Sequence, residues 1–468
     1  MNSAGCAVFR ENVSRIVVFF SFLVINFSIS GFNDSAIASA AVSEGQNILF
    51  ADSFQPGEGT VGAPGWEVWS QREETKPVFF TAEWPSLGKS GSLGISGASN
   101  NSAHGCWQKI VEGIEPGGYY RFEASFRTER VPFPRQQILS RLEWLDKDGK
   151  RTAQPDYVQD VLCPGWWQKN SGIFQAPREA RSVQIQLFLS FCPQGTVWWD
   201  SISLAKVPAP PKRMVRVATI NCYPRNLKSS AESVAQFLPL IDEAGRNKCD
   251  IVCIGEGINL VGVSGVGYPD IAEPIPGPTT STLGEAARRN NLYIVASLGE
   301  RDNHAIYNAA VLIDRQGRIT GKYHKVQLPR EEIEAGCTPG NSFPVFDTDF
   351  GRIGMMICWD LQYVEPARAL AVKGAEIIFL PIWGGNETLA RARAIENQIY
   401  LVASAYDSPP TAIYAPSGEI LVQARQRPSV VYADIDLNEK LLDEWLGYMK
   451  DRFPRERRAD IVTPEMER

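Results

Sequence analysis

Histidine is scarce in this chain: three in 468 residues. No HExxH, CxxC or paired-histidine spacing occurs, so an imidazole- or thiolate-based metal site has too few ligands, and only carboxylate sites stay open. Basic residues are outnumbered as well, 47 Lys and Arg against 53 Asp and Glu. The net charge of -6 gives no basic face for a nucleic-acid partner. Nor is there the surplus of charge or low-complexity sequence that marks a disordered chain: 44% of the residues are hydrophobic and 21% charged, the proportions of a globular protein. The length predicts two or three domains.

The one long apolar run, "IVVFFSFLVINFSIS", lies near the N-terminus behind Arg10 and Arg15, and "AIASAAVS" follows with an Ala38-Ser39-Ala40 pattern. A charged stretch, an apolar stretch and small residues, in that order, predict a signal peptide over residues 1–40 and an exported protein, periplasmic or secreted. A retained membrane anchor is the alternative, but the run is short for a spanning helix and carries Asn26. Of nine cysteines, removal of Cys6 leaves eight. Cys106, Cys163 and Cys192 fall in the first half and Cys222, Cys249, Cys253, Cys337 and Cys358 in the second. Odd counts leave at least one free thiol per half unless a bridge crosses between them, and the spacing fixes no pairing.

Between about Asn47 and Lys206 short alternating segments ("YYRFEASFRT", "SVQIQLFLS", "TVWWDSISLAKV") are separated by turn signals such as Pro116-Gly117-Gly118. That grammar predicts an antiparallel β-sandwich over 47–206 without a helix of any length. "KVPAPPKRMVR" then supplies a stiff connector at 207–213. From Met214 to the end at 468, helical periodicities alternate with apolar strands, which predicts an α/β domain whose sites lie at strand ends.

Three such ends carry reactive side chains: Glu256 after "DIVCIG", Lys325 after the hairpin ending "RITGKYH", and Cys358 after "RIGMMI". Ile353–Ile357 reads as a buried strand and Val364–Leu370 as the start of a helix, so Cys358 occupies a strand-to-helix turn that would lift its sulfur clear of the sheet. Acyl transfer needs a thiol, a base to take its proton and a cation to hold the oxyanion. Glu256 suits the second role and Lys325 the third. The backbone N–H of Trp359 is placed to complete the oxyanion hole. Glu365 and Arg368, at i,i+3 spacing, predict a structural ion pair. Cys253 and Cys337 read as core or loop thiols, and His324 as a packing residue.

The motifs "IVCIGEG", "GKYHKVQLPREE", "GRIGMMICWDLQYVEPARALAVKGAEIIFLP" and "RARAIENQIYLVASA" together resemble the nitrilase (carbon-nitrogen hydrolase) superfamily over nearly the whole second half. The resemblance implies a four-layer αββα sandwich, homo-oligomers (dimers or higher) and a Glu-Lys-Cys triad in this chain order, working without a cofactor. It also implies a second glutamate near the lysine. Glu332 and Glu334 are the candidates, with Glu331 left open. Amidases, carbamoylases and nitrilases share the triad, and "KVQLPREE" lacks the threonine-containing pattern of true nitrilases. The expected substrate is therefore a small amide or N-carbamoyl compound. The glycine-rich "GVSGVGYPDIAEPIPGP" after Glu256 is a candidate wall of the substrate mouth. The first half resembles the jelly-roll, galactose-binding-like modules of the carbohydrate-binding type. The pieces that carry this are "IEPGGYYRFEASFRT", "LEWLDKDGK" and "GTVWWDSISL". This implies a glycan partner, with a plain spacer as the alternative; of Trp198 and Trp199 at least one should be core. A glycan-binding envelope protein with an inactive nitrilase-like scaffold is the competing function.

Overall fold

The computed structural model describes residues 47–461 apart from 53, 55–62, 88–90, 162–164 and 459–460. The N-terminal segment read as a signal peptide, and Cys163, lie outside the described residues. No helix among those described is long and apolar enough to cross a membrane.

The first half is β-rich. A seven-stranded antiparallel sheet runs Val78–Ala82, Ser92–Ser96, Thr196–Val207, Tyr119–Glu129, Gln168–Gln175 and Gln159–Val161, with Asn47–Asp52 on the far half of Thr196–Val207. A bulge between Asp200 and Ser203 lets that long strand take two different neighbours along one edge. It pairs Trp199 with Leu93 before the bulge and Ser203 with Ala51 after it. A second sheet contains Glu67–Ser70, His104–Glu112, Ser182–Ser190, Ile138–Leu145 and Asp156–Tyr157. Alternation sends Phe122, Ala124 and Trp199 from one sheet, and Trp107, Leu142 and Ile185 from the other, into a single buried cluster. Trp199 is core and Trp198 is half-buried on the opposite face. Among the described residues the helical content of this half is one turn at Pro134–Gln137 and a 3-10 turn at Glu73–Thr75.

The second half contains two six-stranded sheets of matching design. One has parallel strands Met214–Asn221, Ile251–Cys253 and Tyr293–Asp302 at its heart; the other has Arg352–Met355, Ile377–Ile382 and Tyr400–Ala405. Antiparallel strands flank both trios. Central strands of this kind read as continuous apolar runs because both of their faces are covered. Val217, Ile251 and Val295 from one sheet share a buried cluster with Ile353, Phe379 and Val402 from the other. The opposite face of the first sheet is closed by helices Ser230–Arg246 and Pro278–Asn290, and that of the second by Glu365–Val372 and Glu387–Asn397. Reciprocal buried bonds fasten sheet to sheet: the Thr219 hydroxyl donates to the Ala403 carbonyl at 2.9 Å and the Ser404 hydroxyl to the Ile220 carbonyl at 2.7 Å.

Two local readings need correction. The strand before the cysteine is Arg352–Met355, and Cys358 opens a short 3-10 turn, Cys358–Gln362, rather than leading straight into a helix. The Glu365–Arg368 ion pair does not form. Arg368 is half-buried near Glu396 instead, and burial lowers its pKa.

The C-terminal helix Met449–Glu456 joins the halves. Arg455, 1% exposed, reaches Asp160 at 2.7 and 3.1 Å and donates to the carbonyls of Val158 and Arg135. The Tyr157 hydroxyl meets Glu456 at 2.7 Å, and the Gln159 side-chain amide donates to the Asp451 carbonyl. Removing one partner of a buried pair strands the other. Arg455→Met is therefore expected to cost roughly 2–4 kcal/mol, read as a lower denaturant midpoint in equilibrium unfolding; an unchanged midpoint would mean the clamp carries no stability.

Candidate active site

The site forms where the parallel strands of both sheets end, the usual place for ligands in α/β sheets. Glu256 follows Ile251–Cys253, Cys358 follows Arg352–Met355, Trp383 follows Ile377–Ile382 and Tyr406 follows Tyr400–Ala405. Lys325 ends the antiparallel edge strand Ile319–His324.

Lys325 is fully buried. Its Nζ lies 2.6 Å from Glu332 Oε1 and 3.2 Å from Glu256 Oε1. Burial alone would lower its pKa, but the carboxylates of Glu256 and Glu332 outweigh it and hold the ammonium above its ordinary value. Glu256, also buried, has both oxygens occupied: Oε1 accepts from Asn308 Nδ2 at 2.8 Å as well as from Lys325, and Oε2 accepts the Trp383 N–H at 2.7 Å. Asn308 is oriented in turn by Ser297, whose hydroxyl donates to Asn308 Oδ1 at 2.8 Å.

The two candidate second carboxylates part company. The segment read as a loop contains a short helix, Arg330–Glu334. At 100° per residue, Glu331 and Glu334 fall on one side and Glu332 on another. Glu334 is 64% exposed and sits 3.8 Å from Arg330, and Glu331 likewise faces Arg330 at 3.5 Å. Glu332 turns inward to Lys325, and its second oxygen, Oε2, is buried with no hydrogen-bond partner among the described residues. Burial and the nearby Glu256 carboxylate raise the Glu332 pKa, opposed by Lys325.

Cys358 has φ +44°, a left-handed conformation that is costly for a residue with a β-carbon and persists only when its surroundings impose it. Asp360 is one source of that constraint. Its fully buried carboxylate accepts the Ile357 and Gln327 N–H groups, each at 2.9 Å, and the Tyr323 hydroxyl at 2.7 Å. It thereby ties the cysteine turn to the segment after Lys325. Burial raises the Asp360 pKa to about 6 against these donors. The Cys358 thiol donates to the Gly384 carbonyl at 3.7 Å, and the neighbouring Trp359 N–H has no acceptor among the described residues. Burial, then the Glu256 carboxylate, push the thiol pKa up to about 12 in spite of Lys325. The resting group is thus a thiol, and it needs a base at the moment of attack.

His324 stacks on Tyr307, with centroids 3.8 Å apart, and contacts Glu300 at 2.6 Å, outside the cluster. Cys253 and Cys337 are buried, with thiol pKa values raised by that burial. All seven described cysteines are free. Among the described residues no group of three or more His, Cys, Asp or Glu is arranged to hold a metal ion. Sequence reasoning passed over Asn308, Ser297, Trp383, Asp360 and Tyr406, whose hydroxyl donates to the Glu256 carbonyl at 2.7 Å.

A family model for carbon-nitrogen hydrolases matches residues 216–440. The Omega-amidase NIT2 of Homo sapiens is 29% identical over 280 residues, covering 54% of this chain and 98% of the relative. That of Bos taurus is 30% identical over 278 residues, covering 53% and 97%. Among solved structures, a double mutant of the amidase from Nesterenkonia sp. AN1 in complex with acrylamide aligns with a TM-score of 0.45 and 21% identity, over 55% of this chain and 98% of that one. The chain belongs to the carbon-nitrogen hydrolase family. It is a hydrolase acting on carbon–nitrogen bonds, with amidases among its relatives.

A thiol of such high pKa sets the reactivity of Cys358 toward alkylation. With iodoacetamide and no substrate, the rate of Cys358 modification, followed by peptide mass mapping, should rise about tenfold per pH unit from pH 6 to 9 without levelling off. A plateau within that range would indicate a preformed thiolate.

Proposed function

We propose that the chain is an exported amidase in which Cys358 is the nucleophile, Glu256 the general base and acid, and Lys325 with the Trp359 N–H the oxyanion-binding pair. The observation that carries this is the buried Lys325 ammonium held between Glu256 and Glu332 beside a strained cysteine turn. As the Cys358 sulfur attacks the amide carbon, Glu256 takes the thiol proton and the carbonyl electrons move to oxygen, facing Lys325 and the Trp359 N–H. Collapse breaks the C–N bond, and the amine leaves with the proton from Glu256. Water then attacks the thioester, giving its proton to the same carboxylate. Breakdown releases the acid, and the departing thiolate recovers its proton from Glu256. The charge of the buried cluster stays constant through each addition, because the proton and the negative charge exchange places within it.

Glu332 is the second carboxylate in this reading: it fixes the Lys325 ammonium at 2.6 Å. The two Omega-amidases similar to the chain support an amide over an N-carbamoyl substrate. The apolar layers between and outside the two sheets support the four-layer αββα arrangement of residues 214–468. The shared core of the two antiparallel sheets supports a jelly-roll module over 47–206, with 207–213 as the connector. On that module exposed Trp84 and Trp166 flank Arg127 at 5.1 and 4.9 Å. Such rings can stack on sugar faces, in keeping with a module that brings the enzyme to a glycan.

Ammonia release from a panel of simple amides, N-carbamoyl amino acids and nitriles tests this. Amides should be turned over, and Cys358→Ala should abolish the reaction. Glu256→Gln should lower kcat/KM by roughly 10²-fold or more; an active Cys358→Ala enzyme would overturn the mechanism. Of the two neighbouring acids, Glu332→Gln should reduce kcat/KM by about tenfold or more and Glu334→Gln by less than about twofold. Equal effects would mean that the inward position of Glu332 is not what matters.

A further inference from the structure

The outer face of the seven-stranded sheet carries an aromatic row that the buried core does not use. Phe80, Gly94, Trp198 and Arg127 stand opposite one another on four neighbouring strands. Gly94 leaves a gap that the Phe80 ring fills, since a β-carbon at 94 would meet that ring at 2.3 Å. Trp198 follows, half-buried, and Arg127 ends the row. Trp84 comes from the turn after Val78–Ala82 and Trp166 from just before Gln168–Gln175. Their rings lie 5.1 and 4.9 Å from the Arg127 guanidinium, and they are 73% and 76% exposed. Large rings gathered on one solvent face mark a binding surface.

The charges on this face are a second, independent observation. Alternation along Tyr119–Glu129 puts Glu123, Arg127 and Glu129 on one side of the strand. The nearby acids are engaged elsewhere. Glu123 meets Lys169 at 3.3 Å and Glu129 meets Arg130 at 3.5 Å, while buried Asp200 accepts the Leu87 and Ser201 N–H groups, each at 2.6 Å. Arg127 has no acidic partner among the described residues and is held by the two indole rings. Rings meet a guanidinium through its π-face and leave the N–H donors at its edge for an anion. Indole faces suit the C–H faces of a sugar ring, and one guanidinium without a counter-ion suits one carboxylate or sulfate on that ring. A nucleic acid would need several phosphate contacts at once, and the net charge of -6 opposes it.

We propose that Phe80, Trp84, Arg127, Trp166 and Trp198 form the binding face for an acidic polysaccharide, with Arg127 on the charged group of one sugar and the indoles against the rings beside it. This assignment rests on the first half being a glycan-binding module and adds which glycans that module selects. It is independent of the chemistry at Cys358.

Three polymers serve as probes: polygalacturonate, the same polymer with its carboxylates methyl-esterified, and dextran sulfate. In calorimetry at physiological salt, the protein should bind polygalacturonate or dextran sulfate about tenfold or more tighter than the ester. Which of the two acidic polymers is preferred tells carboxylate from sulfate. Arg127→Met should abolish the preference for charge and Arg127→Lys restore part of it. Trp84→Ala combined with Trp166→Ala should weaken binding of the preferred polymer by about tenfold or more. Both rings are exposed, so the denaturant midpoint of that variant should not move, which separates lost binding from lost fold. Equal affinity for the acid and its ester, or a preference for the acid that survives Arg127→Met, would overturn the proposal and leave the glycan reading standing. Binding of none of the three polymers would remove both.

Discussion

The candidate active site depends on one buried cation. Lys325 has no contact with solvent, and withdrawing an ammonium from water costs several kcal/mol unless close negative partners compensate. Glu256 and Glu332 do so, at 3.2 and 2.6 Å from its Nζ. Burial first, and then the Glu256 carboxylate, decides the state of the cysteine. A thiolate there would lie beside the Glu256 carboxylate in a region with little water, so the Cys358 proton is retained and its pKa is pushed up to about 12. Reactivity is then tied to substrate. Transfer of the thiol proton to Glu256 conserves the buried charge but is uphill from so weak an acid, and becomes favourable only when a carbonyl is present to take up the displaced electrons.

The geometry that brings these groups together follows from parallel strands. Each parallel trio delivers its chain ends to the same side, and the reciprocal Thr219 and Ser404 bonds keep the two sheets in register. The cysteine turn needs a further constraint because its backbone conformation is unfavourable. Asp360 supplies it by gathering two backbone N–H groups and one hydroxyl onto a buried carboxylate. Those contacts couple the nucleophile turn to the chain just beyond Lys325, so the two cannot move independently without leaving buried polar groups unpaired.

Much of this was legible in the sequence for a physical reason: reactive groups at the ends of apolar strands interrupt the pattern that buries them. Glu256, Lys325 and Cys358 each stand at such an end. What escaped notice acts through backbone or from further along the chain. Trp383 contributes its N–H, which any non-proline residue has, and Asn308 is an ordinary mid-strand amide until the neighbouring strand places Ser297 against it. The choice between Glu332 and Glu334 was closed to sequence reasoning because a single helical turn decides it. Read as a loop, the segment gives neither acid a direction. Arg368 shows the converse error, where i,i+3 spacing suggested a pair but the neighbouring helix provides Glu396. Odd cysteine counts anticipated free thiols, and in the structure every described cysteine is one.

The first half is held to the second by a buried arginine that reaches from the C-terminal helix to Asp160 and to backbone carbonyls of the first half. It therefore belongs to the same folded body as the catalytic cluster. The proposed chemistry is a thioester formed at Cys358 beside the buried charge cluster. The most direct test is rapid acid quenching of the enzyme during turnover of a simple amide, followed by peptide mass mapping. The account predicts an acyl group on the Cys358 peptide, appearing before free acid accumulates and absent from Cys358→Ala. Turnover with no adduct on Cys358, or an acyl group on another residue, would contradict it.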